Sequence, residues 1–270
     1  KSILSNDTDL KELPKKMCCP GNNKKTIGTT MFATNEVVAH LQNNIPSSQW
    51  QDVSLDIKKE IFQKVAEQLH QNQSKLFYLL ATEAGKTLKD ADAEVREAID
   101  FVNYYVCEGE KMLLPHKLTG PTGENNYLSH EAKGNFLCIS PWNFPLAIFV
   151  GQITAALVAG NNVIAKPAED TSIIAYEVIK IFHNAGIPKE ALQLVIADKE
   201  VSDELTKLNW LSGIAFTGSS EAAKKINLNL AMSEGPIKTF IAETGGLNAM
   251  FVDSSALKEQ VIDDIVRSAF

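Results

Sequence analysis

Residues Phe136–Asp170 read FLCISPWNFPLAIFVGQITAALVAGNNVIAKPAED. A short apolar run, Phe136–Ser140, leads into a continuous apolar stretch from Phe144 to Gly160. A second short run, Asn162–Lys166, then ends in Lys-Pro. Short apolar strands without polar alternation belong to parallel sheets covered on both faces, and the segment joining these two has the length of a helix. The rhythm recurs downstream at Leu192–Ile196, Gly213–Thr217, Thr239–Ala242 and Ala249–Val252, each followed by helical patterning. The predicted fold class is α/β, a Rossmann-type parallel sheet with flanking helices. In such sheets ligands bind outside the carboxyl ends of the strands, so the residues after each strand are the candidates for function.

Phe144–Gly160 also invites a membrane reading. It contains Gln152 and Thr154, meets Asn161 and Asn162 directly, and is shorter than the roughly 20 residues a span needs. A buried core helix is predicted and no transmembrane span. Upstream lies an N-terminal helical section. Residues 1 to about 35 are Lys- and Asn-rich and read as an extended lead-in or edge. Ile57, Ile61, Val65 and Leu69 then mark an amphipathic helix. Leu76, Leu79 and Leu80 mark another after a capping turn at Asn72-Gln73-Ser74. A long helix from Thr87 to about Glu110 turns Val95, Ile99, Val102 and Val106 inward. Met112–Lys133, with Gly120-Pro121, Gly123 and Asn125-Asn126, predicts a protruding hairpin. A final apolar helix, Val261–Phe270, carries Ile262, Ile265 and Val266.

With 44% hydrophobic and 22% charged residues over 270 positions, the chain has the balance of an ordinary globular protein of one large or two modest domains. A net charge of −7 and a pI near 5.3 argue against a nucleic-acid grip or attraction to anionic lipid. Cys18, Cys19, Cys107 and Cys138 lack framework or C-x-x-C spacing, so neither disulfides nor a metal site is predicted, and reduced thiols in a cytoplasmic protein fit best. The start at Lys1 without a signal pattern and the abrupt end at Phe270 read as a segment of something longer.

The strand ends carry the candidate chemistry. In SPWNFP (Ser140–Pro145), Pro145 suits the first turn of the next helix. Asn143 stands just before that helix, where its amide either donates to an oxyanion in the crevice or merely caps the helix. KPAED (Lys166–Asp170) offers a cation and a carboxylate to ribose hydroxyls, or else forms a surface ion pair of small worth. FTGSS (Phe216–Ser220) sets Gly218-Ser219 at a helix N-terminus, where free N–H groups and a hydroxyl suit a pyrophosphate. In ETGGLN (Glu243–Asn248), Gly245-Gly246 permit close backbone approach. Partial burial of Glu243 would raise its pKa toward that of a general base, and a structural carboxylate is the alternative. Gly85-Lys86-Thr87 imitates a P-loop ending, but Leu80 stands where the first glycine is needed.

PWNFP, KPAE, FTGS and E-x-G-G occur in the order and at the spacings of the aldehyde dehydrogenase superfamily, which the sequence resembles over roughly residues 40–270. EAGKTLKDADAEVREAIDFVNYY (Glu83–Tyr105), CISPWNFPLAIFVGQITAALVAGNNVIAKPAE (Cys138–Glu169) and IAETGGLNAMFVDSSALKEQV (Ile241–Val261) resemble in particular its L-glutamate γ-semialdehyde (Δ1-pyrroline-5-carboxylate) dehydrogenases from bifunctional proline-catabolic proteins. The resemblance implies an aldehyde-dehydrogenase-like fold and NAD-dependent oxidation of the semialdehyde to L-glutamate. A cysteine thiolate would attack the aldehyde, Asn143 would hold the oxyanion, and Glu243 would activate the water that hydrolyses the thioester. It implies NAD contacts from Ser140, Pro141, Trp142, Phe216, Thr244 and Gly245, with Lys166 and Glu169 at the adenosine ribose and Gly218 and Ser219 at the pyrophosphate. Phe144 and Ile148 would line the substrate funnel. FAD is implied only for a proline dehydrogenase domain elsewhere in a longer parent.

The implied organisation is a helical part of the NAD-binding domain at 1–111, an oligomerisation hairpin at 112–133 and the NAD-binding sheet at 134–270, with the catalytic domain outside the chain. The implied partners are a small-molecule aldehyde and further copies of the parent; a membrane-peripheral parent stays open. Two departures stand out. By the family's spacing the nucleophile falls about 34 residues after Glu243, some seven beyond Phe270, so the chain alone is expected to be inactive. Val195–Leu205 (VIADKEVSDEL) has no glycine where relatives carry a PGxGxxxG-like turn, which leaves the adenine side undefined. A non-catalytic dinucleotide-binding or structural module, or a dehydrogenase for another aldehyde, remain the alternatives.

Overall fold

The computed structural model describes residues 1–5 and 10–269. The N-terminal stretch is extended, as expected, but it is also paired. β1 (Glu12–Cys19) and β2 (Asn22–Ala33) form an antiparallel hairpin. Four helices follow: α1 (Asn35–Asn43), α2 (Leu55–Gln71), α3 (Gln73–Glu83) and α4 (Leu88–Leu113). The expected stripe of α2 is rotated. Its buried face is Lys58, Phe62, Val65, Ala66 and Leu69, whereas Ile57 is 51% exposed. A step of four residues overshoots one helical turn by about 40°, so a strict i+4 row winds off the core face within three steps. Asn72 also differs from expectation. Its Nδ2 donates to the Gln68 carbonyl at 2.8 Å, closing α2, and its side chain does not cap α3. Thr87 does cap α4, its Oγ1 accepting the Asp90 N–H at 3.2 Å.

The Met112–Lys133 stretch contains the short antiparallel pair β3 (His116–Leu118) and β4 (Asn126–Leu128). Strands and helices then alternate: β5 (Asn135–Ile139), α5 (Ala147–Val158), β6 (Asn162–Lys166), α6 (Ser172–Ala185), β7 (Leu192–Leu194), α7 (Lys199–Leu205), β8 (Gly213–Gly218), α8 (Ser220–Met232), β9 (Thr239–Thr244) and α9 (Lys258–Ala269). The last five strands make one parallel sheet in the order β7-β6-β5-β8-β9. Ile3 covers its β7 edge through two backbone hydrogen bonds with Leu194, at 2.9 and 2.8 Å. The expected strand Ala249–Val252 does not form, and Phe251 is 94% exposed. Apolar β-prone residues become a strand only where a neighbouring backbone offers a ladder, and among the described residues none lies beyond β9. On α9, Ile262, Ile265 and Val266 are exposed; Phe270, the last residue of the expected helix, lies outside the described residues.

Side chains alternate across the sheet. Phe136, Cys138, Val163 and Ala165 join α2–α6 in one core, and Leu137, Ile139, Ile164 and Ile214 join α1, α7 and α8 in the other. Between the sheet and α4, α5 is buried on both sides, and Gly109 of α4 sits against Val158 with no room for a Cβ. That double burial explains its span-like sequence; no described helix is long and apolar enough to cross a membrane. Gly160 ends α5 at φ +85°, a conformation that favours glycine.

Two buried carboxylates reach from the helical section to the N-termini of sheet-layer helices. Glu83 accepts the Ile173 and Ile174 N–H groups at 2.7 and 2.8 Å, at the start of α6. Glu94 Oε1 accepts the Leu146 and Ala147 N–H groups at 2.8 and 3.2 Å, at the start of α5. These are the free donors of a helix N-terminus, which favour a carboxylate. Burial nevertheless lifts the Glu83 pKa from 4.5 to about 7, against the pull of its two amides. A carboxyl raised on folding contributes stability that is fully present below about pH 4.5 and lost as pH rises through about 7, roughly 3 kcal/mol in all. Glu83→Gln is therefore expected to flatten the decline of urea midpoints between about pH 5 and 7.5. An undiminished decline in the variant would assign the titration to another group.

Candidate functional site

β6 lies on one side of β5 and β8 on the other, so the sheet changes its direction of growth between β5 and β8. Loops leaving the carboxyl ends of such neighbours diverge and open a crevice. Here it holds about 850 Å³ and is lined by the ends of β5, β6, β8 and β9, within the roughly 300–1,000 Å³ usual for cofactor sites. Gln152 of α5 ties its floor together, Nε2 donating to the Ile139 carbonyl at 3.2 Å and to Thr217 Oγ1 at 3.0 Å.

After β5, Ser140 lines the crevice; its N–H donates to the Lys166 carbonyl at 3.2 Å, and its Oγ is buried without a partner among the described residues. Pro141, Trp142, Asn143 and Ile148 also line the crevice, with Trp142 64% exposed. Pro145 does not open the first helical turn, because α5 begins at Ala147 with Leu146 as its cap. Glu94 occupies the N–H groups there, so the capping reading of Asn143 does not hold. Phe144 is the expected residue missing from the lining. Its ring lies under Lys86 Nζ, 4.0 Å from the centroid.

After β6, Lys166 is only 9% exposed, and burial pushes its ammonium down to about 8 while Glu169 and Asp198 oppose the shift. Glu169 is held from outside the sheet by Lys15 of β1, at 3.0 Å. At the end of β8, a Cβ on Gly218 would stand 2.6 Å from the Phe216 ring, so the buried ring demands glycine there. Ser219 caps α8, its Oγ accepting the Ala222 N–H at 3.2 Å, and Ser219, Glu221 and Ala222 line the crevice at this helix N-terminus. Glu243, Thr244 and Gly245 line the crevice from β9. Glu243 is exposed, so the partial burial expected to activate it is not supplied by these residues. Its charge still reaches Tyr105 of α4, whose pKa is raised first by burial, then by Tyr104 and Glu243.

Instead of a glycine turn, Asp198 caps α7, accepting the Val201 N–H at 2.9 Å. Lys199, Ser202, Asp203 and Thr206 then face Glu221 and Lys225 of α8 across the far end of the crevice. Burial works to raise the Asp203 pKa, but Lys225 at 2.8 Å, Lys207 at 3.0 Å and Asn229 at 3.1 Å together hold it down at about 2. Sequence reasoning missed Lys15, Asp203, Lys225 and the role of Gln152. Only Gln152 carried a signal, a polar residue inside an apolar run. None of the four cysteines lines the crevice, and burial pushes the Cys138 thiol up to about 12. Among the described residues no group of His, Cys, Asp or Glu could hold a metal ion.

Residues 9–270 match the aldehyde dehydrogenase family, and they contain all of these strand ends. The chain belongs to that family. It is 42% identical over 257 residues to the bifunctional protein PutA of Salmonella typhimurium, covering 93% of this chain and 19% of that protein. Among solved structures it is similar to proline utilization A from Bdellovibrio bacteriovorus, with a TM-score of 0.94, 29% identity, and coverage of 100% of this chain and 29% of that one. It is similar too to 1-pyrroline-5-carboxylate dehydrogenase from Thermus with bound NAD, with a TM-score of 0.85, 29% identity, and coverage of 91% and 49%. The chain thus spans about a fifth of the bifunctional Salmonella protein and about half of the Thermus dehydrogenase.

Proposed function

We propose that this chain is the coenzyme-binding part of an NAD-dependent dehydrogenase that oxidises L-glutamate γ-semialdehyde to L-glutamate in proline catabolism, within a longer, bifunctional protein. The observation that carries it is the convergence of four strand ends on one switch-point crevice, in a chain similar to PutA and to 1-pyrroline-5-carboxylate dehydrogenase. The residues present fit NAD. The unpartnered Ser140 Oγ and the buried Lys166 are polar groups in want of a ligand, and Ser219 sits at a helix N-terminus suited to a pyrophosphate. Lys166 and Glu169 would hold ribose hydroxyls, and Ser140, Pro141, Trp142, Phe216, Thr244 and Gly245 would shape the rest of the cleft. Bound NAD+ supplies a hydride acceptor.

A cysteine thiolate from outside residues 1–270 would add to the aldehyde carbon, with the Asn143 amide donating to the resulting oxyanion. After hydride loss leaves a thioester, Glu243 would take a proton from the water that attacks it, and collapse of the adduct releases the acid and the thiolate. The longer polypeptide would have to bury Glu243 for that role. Residues 1–111 and 134–270 act together as the coenzyme-binding unit. The 112–133 hairpin, which exposes Leu118, Tyr127 and Leu128, is assigned to contacts between copies.

The test is direct. NAD+ is expected to quench the fluorescence of residues 1–270, with the signal lost in Trp142→Phe. Lys166→Met or Glu169→Ala should weaken binding about tenfold or more. No binding at millimolar NAD+ would sink the reading. The glycine-free turn after β7, closed by the Asp198 cap, favours one rival, a non-catalytic binding module. Binding by the complete protein without aldehyde-dependent NADH would establish that rival, and faster turnover of simple aliphatic aldehydes than of the semialdehyde would change the substrate.

A further inference from the structure

We infer that Lys86 and Glu94 are positioning residues that, through the Phe144 ring and the start of α5, hold the Asn143 amide for the chemistry of the crevice; this rests on the dehydrogenase reading above. Asn143 and Phe144 stand on a loop of no regular structure between β5 and α5, so their own backbone does not fix them. The loop is pinned at two points. Glu94 Oε1 takes the N–H groups of Leu146 and Ala147, which fixes its exit. Glu94 Oε2 meets Lys86 Nζ at 2.5 Å, and the same ammonium lies 4.0 Å from the Phe144 ring centroid. Lys86 is brought there by the turn between α3 and α4, where Gly85 takes φ +71° and the Lys86 N–H donates to the Leu80 carbonyl at 3.1 Å. The Glu94 side chain is wholly buried and that of Lys86 13% exposed, so the link is shielded from solvent.

A comparison within the molecule separates positioning from plain capping. Glu83 caps α6 with both carboxylate oxygens on amides. Glu94 caps α5 with one oxygen and spends the other on a lysine seated against the residue beside Asn143. Oxyanion donors act only when held to within a few tenths of an ångström, which gives such a link a purpose that a cap alone lacks.

The test uses Lys86→Met, Lys86→Arg, Glu94→Gln and, as the plain-cap control, Glu83→Gln. In the complete dehydrogenase, Lys86→Met and Glu94→Gln are expected to lower kcat about 10- to 100-fold with KM for NAD+ within about threefold, while Lys86→Arg recovers most of the loss and Glu83→Gln leaves kcat near wild type. Residues 1–270 labelled with 5-fluorotryptophan give a readout free of activity, from three tryptophans of which Trp142 neighbours Asn143. Lys86→Met should change the Trp142 resonance and spare those of Trp50 and Trp210. A wild-type enzyme that forms no NADH would defeat the dehydrogenase reading, and the fluorine spectra would still judge the link. The inference is overturned by unchanged kcat and Trp142 resonance in Lys86→Met. Loss of all three resonances in both Lys86→Met and Lys86→Arg would also overturn it, because the pair would then be merely structural.

Discussion

Asn143→Ala, in a complete dehydrogenase joining residues 1–270 to a cysteine-bearing catalytic part, is expected to lower kcat about 10²- to 10³-fold, the usual cost of removing one preorganised oxyanion donor. The expectation follows from what the amide is not doing. Leu146 caps α5 and Glu94 satisfies its first N–H groups, so no structural duty claims Asn143, which lines the crevice. NAD+ affinity and thermal stability should change little, since the ribose and pyrophosphate residues follow other strands. Asn143→Asp should fare no better, because it exchanges a donor for a charge of the same sign as the oxyanion. Steady-state kinetics with semialdehyde decide the matter, and a kcat within threefold of wild type in both variants would remove Asn143 from the mechanism.

Trp50→Ala is expected to destabilise residues 1–270 by about 4 kcal/mol, at the upper end for large core truncations. Trp50 is 2% exposed, meets Phe62 edge-on at 6.4 Å, and lies under Lys58 Nζ, 5.5 Å from the ring centroid. Its Nε1 donates to the Leu157 carbonyl at 2.8 Å, locking the helical section onto α5. Truncation would leave a cavity and remove one donor from the Leu157 carbonyl, which keeps the Gly160 N–H at 2.9 Å. Trp50→Phe isolates the second effect, about 1 kcal/mol. Urea denaturation followed by circular dichroism measures both, and a loss below about 2 kcal/mol for the alanine variant would mean that the junction closes over the gap.

Much of the sheet was legible because its signals are local. Asn162–Lys166 is apolar, bounded by Gly160 and Pro167, and forms a strand over the expected residues. The strand-end motifs were legible for the same reason: a turn needs particular residues next to one another. Ala249–Val252 was misread since a strand is a property of two backbones and the sequence of one does not show whether the other is there. Glu243 was expected to be half-buried on similar grounds, and it is exposed because nothing described lies beyond β9. The Lys15–Glu169 pair, 154 positions apart, left no mark on either segment.

The sequence alone determined the parallel α/β class, the order of the strands' motifs and the residue types at the mouth of the crevice, because strand length, apolar runs and turn residues act over a few positions. Tertiary structure decided the rest. It put α5 between sheet and α4, so that a span-like segment became core, and it gave the glycine-free turn an aspartate cap in place of a glycine. It also drew Glu83, Lys86 and Glu94 from the helical section to the helix termini beside the crevice. Those last contacts exist because buried helix ends need partners, and which distant side chain supplies them depends on how the layers pack.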